Sequence, residues 1–241
     1  MAFKRIRSII FIFSLIILQS FLHAQTAGLN MIFAAPQNEF KTNVKNLGVG
    51  VGMEGLLFFG NSSVPFGVGL NIGFINYGNE DFNAPLSTTL PGITVNVTRS
   101  NNIANFHILF RMTTNSTVVK PYLDLLFGGN YLFTESKVTS EKDGSEFASS
   151  KNISDYAWSY GFGGGLLIKI YEPNPAEMPD MGELFLDFKV RYLKGTEAEY
   201  LTEGSIIGNP NGSVTLLTSK SKTDLLQIQV GVTAQFNSLA F

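Results

Sequence analysis

The 241-residue sequence has no cysteine, one tryptophan and two histidines, and only 15% of it is charged. Without cysteine, a disulfide framework, a thiol nucleophile, a thiolate metal site and a lipoprotein anchor are all excluded. Charge of either sign is not in excess: 17 basic residues face 19 acidic ones, a net of −2. Nucleic acid, which demands a concentrated basic surface, is therefore excluded as a partner. Long apolar runs are missing too. After the first two dozen residues none reaches the roughly 18 residues of a membrane-spanning helix, yet mean hydropathy is +0.15. The apolar residues must be spread by alternation.

The N-terminus has the three zones of a secretory signal peptide. Lys4, Arg5 and Arg7 precede the apolar run Ile9 to Leu18, and Ser20, His23, Ala24 and Gln25 follow with a small residue at the expected cut. The reading is a signal peptide over 1–24 and one mature domain over 25–241. Cleavage removes three basic residues, leaving 14 against 19 acidic ones and a net of −5. His107 is then the only histidine.

The most informative stretch is the last regular one. From Leu226 the even positions are Leu226, Ile228, Val230, Val232, Ala234 and Phe236, and the odd ones Gln227, Gln229, Gly231, Thr233 and Gln235. An unbroken apolar face against a glutamine-rich face, over about 11 residues, suits a tilted strand with lipid on one side and a polar lumen on the other.

The same alternation recurs upstream. Leu29 to Ala35 reads as a first strand, Leu47 to Phe59 as a second and Phe66 to Phe74 as a third. A long polar connection from Gly78 to Asn102 contains the alternating Ile93, Val95 and Val97, read as a strand extension standing above the membrane. Phe106 to Met112, Leu123 to Phe133, Tyr156 to Ile170 and Leu184 to Tyr192 follow, separated by the polar stretches Glu135 to Ser154 and Gly195 to Lys222. The fold expected is all-β: an eight-stranded antiparallel up-and-down transmembrane barrel with short periplasmic turns and long extracellular loops. With periplasmic termini, Phe74, Tyr131, Phe133, Tyr156, Trp158 and Tyr192 form an outer aromatic belt, and Phe59, Phe66, Phe110 and Phe236 an inner one. A soluble lipocalin-like barrel would need the opposite alternation.

On the inward face stand Glu54, His107, Arg111, Asp124, Lys169, Asp187, Lys189 and Arg191. Two readings compete: an ion or proton path, or a salt-bridged polar core filling a lumen just wide enough for side chains. Arg111 and Asp124 flank one short turn at matching heights and are expected to pair, as are Lys169 and Asp187 across the next hairpin. His107 has no serine beside it in sequence and too few companions for a metal site. Gly161 to Gly165 resembles a phosphate loop in composition alone, since it lies within a strand and lacks the following Lys-Ser/Thr. No catalytic residue, cofactor or metal is expected.

Lys120-Pro121-Tyr122-Leu123-Asp124, the glycine-rich Tyr160 to Lys169, Glu183 to Tyr192 and the closing strand together resemble the small outer-membrane β-barrel family that includes PorT-like and OmpX-like proteins. The resemblance implies residence in the outer membrane and no catalytic residues, and its PorT-like side implies association with a secretion or assembly machine. The expected function is a non-enzymatic structural or interaction component of the cell envelope, with a narrow channel for small solutes or ions as the alternative. The partners expected are outer-membrane lipid, lipopolysaccharide and another envelope protein, met through the proline-rich Glu172 to Gly182 connection or the extracellular loops.

Overall fold

A computed structural model describes residues 26–59, 65–87, 90–140, 146–174, 182–208 and 214–236. The expected signal peptide, the turn at 60–64, most of the proline-rich connection (175–181) and the tail 237–241 lie outside the described residues.

The elements run β1 (Thr26–Pro36), α1 (Asn38–Asn43), β2 (Gly48–Phe59), β3 (Phe66–Ser87), β4 (Leu90–Thr113), β5 (Val119–Ser140), β6 (Glu146–Tyr171) and β7 (Leu184–Gly195). The short β8 (Glu197–Tyr200), β9 (Ile206–Gly208), β10 (Val214–Leu216) and β11 (Ser219–Lys222) precede the closing β12 (Leu225–Gln235). Eight of these strands form a closed antiparallel barrel in the order β1-β12-β7-β6-β5-β4-β3-β2. The seam is complete, running from Thr26 opposite Gln235 to Pro36 opposite Leu225. Closure removes every edge along the common height of the strands, so each backbone group there has a ladder partner without needing water.

The wall is apolar outside and mixed inside. Leu29 and Leu123 are 66% exposed and Phe162 62%, whereas Gln227 and Gln229 on β12 are each 1% exposed. A soluble barrel cannot afford that inversion, so the exterior is lipid-facing. The aromatic residues meet along the tall end: the Tyr156 and Trp158 rings are 5.5 Å apart, Phe127 and Trp158 5.7 Å, Tyr131 and Phe133 5.5 Å.

Strand lengths divide the wall in two. β1, β2, β7 and β12 have 11 or 12 residues, enough to cross a bilayer at a tilt. β3 to β6 have 22 to 26 residues, about 70–85 Å of chain at the usual rise, far more than the roughly 30 Å hydrocarbon core. The polar connections 78–102 and 135–154 are therefore two tall hairpins, not irregular loops. Above the membrane both faces become polar, so the period-2 hydrophobic signal fades while the backbone ladder continues.

The remaining connections fold inward at this tall end. The segment between the first two strands contains α1, whose Phe40 is fully buried. Asn38 takes the left-handed conformation (φ 50°) that asparagine tolerates, and its side-chain amide donates to Asp224 Oδ2 at 2.7 Å and Tyr192 Oη at 2.9 Å. The third polar stretch, expected as a loop, pairs β8 with β11 and β9 with β10. Tyr200 from β8 packs edge-on against Phe40 at 5.0 Å, and Tyr77 from β3 approaches Phe40 at 5.9 Å.

Candidate functional site: the stoppered lumen

Seen from the sequence upward, inward positions on neighbouring strands must share one narrow interior. Of the eight inward residues singled out, six converge. Glu54 from β2 is their centre: Oε1 lies 2.9 Å from Arg111 Nη2 and 2.8 Å from Lys189 Nζ, and Oε2 2.8 Å from Arg191 Nη2. Asp124 on β5 receives Arg111 Nε at 2.7 Å and Arg191 Nη2 at 2.6 Å. Asp187 takes Lys189 at 2.9 Å. Three cations therefore face three carboxylates, and every member is at most 2% exposed. Buried charges are tolerated only when paired in this manner.

Tyr122 shares the inward parity of Asp124 on β5 but was not among the residues singled out from the sequence. Its hydroxyl donates to Asp187 Oδ1 at 2.5 Å, and the Arg111 guanidinium lies 3.8 Å from the centre of its ring. Thr233 on β12 donates to the other Asp187 oxygen at 3.1 Å. The signal for both was available: each lies on the inward parity of a strand that carries or adjoins a charged inward residue.

Arg191 reaches Asp124 across the intervening β6, where Gly163 stands opposite both residues. A Cβ on Gly163 would lie 2.6 Å from Arg191 Cγ and would collide with the Val190 carbonyl oxygen. The glycine-rich run thus leaves room for the arginine, and it binds no phosphate by geometry, since it lies within β6 and opens no helix.

Lys169 stands apart from this cluster, so its expected pairing with Asp187 does not occur. It sits opposite Phe185 at the rim carrying the barrel's termini, and binds Glu172 and Glu183, each at 2.8 Å. Lys120 joins Glu183 at 3.1 Å and Gln235 at 2.9 Å. One pleat of the strand separates Phe185 from Asp187, and the lysine reaches outward to the rim where its charge stays partly hydrated. Between rim and cluster, Tyr122, Leu167 and Phe185 form a small apolar layer.

His107 also stands apart, and a serine does lie beside it: its Nε2 is 3.0 Å from Ser159 Oγ. The serine is 52 residues away in sequence, which is why a local search misses it. Gly128 on β5 stands opposite both, and a Cβ there would lie 2.7 Å from His107 Cα. Both side chains are fully buried. Among the described residues, no three acidic or histidine side chains are placed to share a metal ion.

The tall half of the lumen is filled differently. Ile32, Ile75, Ile103, Leu132, Ala157, Leu193 and Leu225 point inward and join Phe40, Tyr77, Ala198 and Tyr200 in one buried apolar cluster. Inward leucines and isoleucines of this kind are hidden in the sequence, because they occupy the positions where a polar residue is expected.

No protein-family model matches the chain, and no curated protein matches it. Among solved structures it is similar to Neisserial surface protein A, at 15% identity over 88% of this chain and 95% of that one, with a TM-score of 0.33. It is also similar to a major outer membrane protein from Thermus thermophilus at 13% identity, over 86% of this chain and 98% of the other, TM-score 0.29. A Pseudomonas aeruginosa FadL homologue follows at 11% identity, over 88% and 75%, TM-score 0.22. The chain is an integral β-barrel of the outer-membrane type. Its own closed wall and inverted exterior establish this; likenesses so distant speak to none of its lumen residues.

Proposed function

We propose that this protein is a non-conducting, non-enzymatic outer-membrane barrel that works by contact, presenting its tall end to another component of the envelope. One observation carries the reading. The lumen is blocked twice, by the neutral six-charge cluster around Glu54 and by the apolar cluster beneath α1 and β8. A barrel that conducts needs a continuous polar path, and no pore-sized gap is compatible with full burial of both layers. What is left for function is the surface, and β3 to β6 rise far beyond the membrane to supply it.

Under this reading the termini are periplasmic, the tall hairpins extracellular, and the aromatic rows lie at lipid and lipopolysaccharide headgroups. The family resemblance of the sequence adds a secretion or assembly machine as the kind of partner, met through the tall end or through Glu172 to Gly182. The test is three measurements on one preparation: unboiled and boiled migration of outer-membrane extract, conductance in planar bilayers, and recovery from mild detergent. A heat-dependent shift, absent unit conductance and a reproducible co-purifying envelope protein are expected. Stable single-channel steps would replace this reading with the narrow channel, and a barrel recovered alone every time would remove the partner.

A further inference from the structure

The tall end carries one cavity with a chemistry unlike the apolar cluster beneath it. It measures about 290 Å³ and is walled by the segment after α1, the upper part of β3 and β4, and the 202–203 turn. At roughly 30 Å³ per liquid water, it has the room of about ten waters. Its wall is dominated by polar side chains that both donate and accept: Asn43, Asn46, Asn101 and Thr202, with the Tyr77 hydroxyl at the back. Lys45 and Glu203 give one charge of each sign, so the wall has no net charge.

The polar groups are held in place rather than free to swing. Asn101 is 4% exposed, and its Oδ1 accepts from Thr134 at 2.6 Å. Tyr77 is likewise buried and donates to the Leu201 carbonyl at 3.3 Å. Asn46 donates to Glu203 Oε1 at 2.7 Å, and Asn43 to the Tyr200 hydroxyl at 2.9 Å. Beside them Gly78 leaves a bare patch of backbone: a Cβ there would lie 3.2 Å from both Asn101 Nδ2 and Glu203 Oε1. The Asn101 amide and the Glu203 carboxylate therefore lie on the same side of the bare Gly78 backbone, close enough to each other to meet neighbouring groups of one ligand.

This constellation selects among ligand classes. A phosphate or sulfate would want several cations, and here one lysine is offset by one glutamate. An acyl chain would want an apolar lining, which Val44 alone does not provide. Adjacent hydroxyl groups, each a donor and an acceptor at once, match side-chain amides and a carboxylate group for group. We infer that this cavity is a binding site for a neutral saccharide, with room for about one pyranose ring, in which Asn101 donates to one hydroxyl and Glu203 accepts from its neighbour. The inference deepens the contact function proposed above by naming a glycan as what the tall end touches.

Ligand-observed NMR on the folded barrel in detergent tests it, with glucose, galactose, mannose and N-acetylglucosamine as probes and glucuronate as a charged comparison. Saturation transfer to at least one neutral sugar is expected, at least tenfold weaker binding in Glu203→Ala, and unchanged binding in Lys120→Gln at the opposite rim. Glu203 is exposed, so its variant is expected to fold, which unboiled migration on a gel checks. No transfer to any neutral sugar from folded protein, equal binding by Glu203→Ala, or transfer to glucuronate alone would each overturn the assignment. Because the readout needs neither a membrane nor a protein partner, its failure leaves conductance and co-purification to be judged separately.

Discussion

The two halves of the lumen are walled by the same strands and filled by opposite means. Near the barrel's termini, the filling is charge, supplied by residues fixed on β2, β4, β5 and β7 and balanced three against three. At the tall end it is apolar, and the wall's own Ile, Leu and Ala side chains are completed by Phe40, Ala198 and Tyr200 from segments outside the barrel. The difference teaches where stability is stored. A charge cluster built wholly on ladder strands is part of the barrel, so its loss threatens closure itself. An apolar cluster completed from outside is a lid, which can loosen while the barrel persists.

The comparison is broken most severely by Glu54→Gln, which leaves three cations with two carboxylates in a fully buried site. Unpairing buried charge costs about 3–5 kcal/mol, so the unboiled form should convert at clearly lower temperature. Adding Lys189→Met restores the balance and should recover most of the loss; no recovery would mean that shape and not charge governs this half. Phe40→Ala should cost a similar amount locally, about 3–5 kcal/mol for a buried phenylalanine, yet with a different readout. Proteolysis should nick the segment between β7 and β12 while heat-modifiable migration stays near that of the parent. Simultaneous loss of both would show that lid and barrel are one cooperative unit.

A smaller effect is expected between the halves. In Gly128→Ala the new Cβ meets the Phe106 carbonyl oxygen and His107 Cα, both backbone atoms that cannot step aside, and overpacking of this kind costs about 1–3 kcal/mol. His107→Ala removes one buried hydrogen bond to Ser159 and should cost about 1 kcal/mol, read as a small drop in conversion temperature. A larger drop would make the pair part of the load borne by the charge cluster. The smallest effect belongs to Lys220→Ala: its pairing with Glu197 is 3.6 Å long and both side chains are over half exposed, so no measurable change is expected.

How much of this was legible beforehand follows from the physics of each feature. The outward faces were, because Leu29, Ile108, Phe162 and Ile228 must all avoid a polar interior and face one medium. The Arg111–Asp124 pairing was legible as well, since the two flank a short turn and 13 residues of separation fix their register. The inward apolar residues were not, for Ile75, Ile103 and Leu132 look like breaks in a polar face until the lid that covers them is seen. Nor was α1, a single short helix whose one buried residue, Phe40, offers no periodic pattern.

The sequence by itself determined which way each membrane strand faces, that the wall is a β-barrel with lipid outside, and which charges share its inward parity. Period-2 geometry leaves no freedom there: a one-residue slip would put every glutamine of β12 into lipid. Only the tertiary structure decided which inward residues meet. Glu54 and Arg191 are 137 positions apart, and it is closure of the ladder, together with a missing side chain at Gly163, that brings them to 2.8 Å. The same closure left Lys169 at the rim with Glu183 and set His107 against Ser159. Pairings of that kind depend on the curvature of the whole barrel, which no local stretch of the chain encodes.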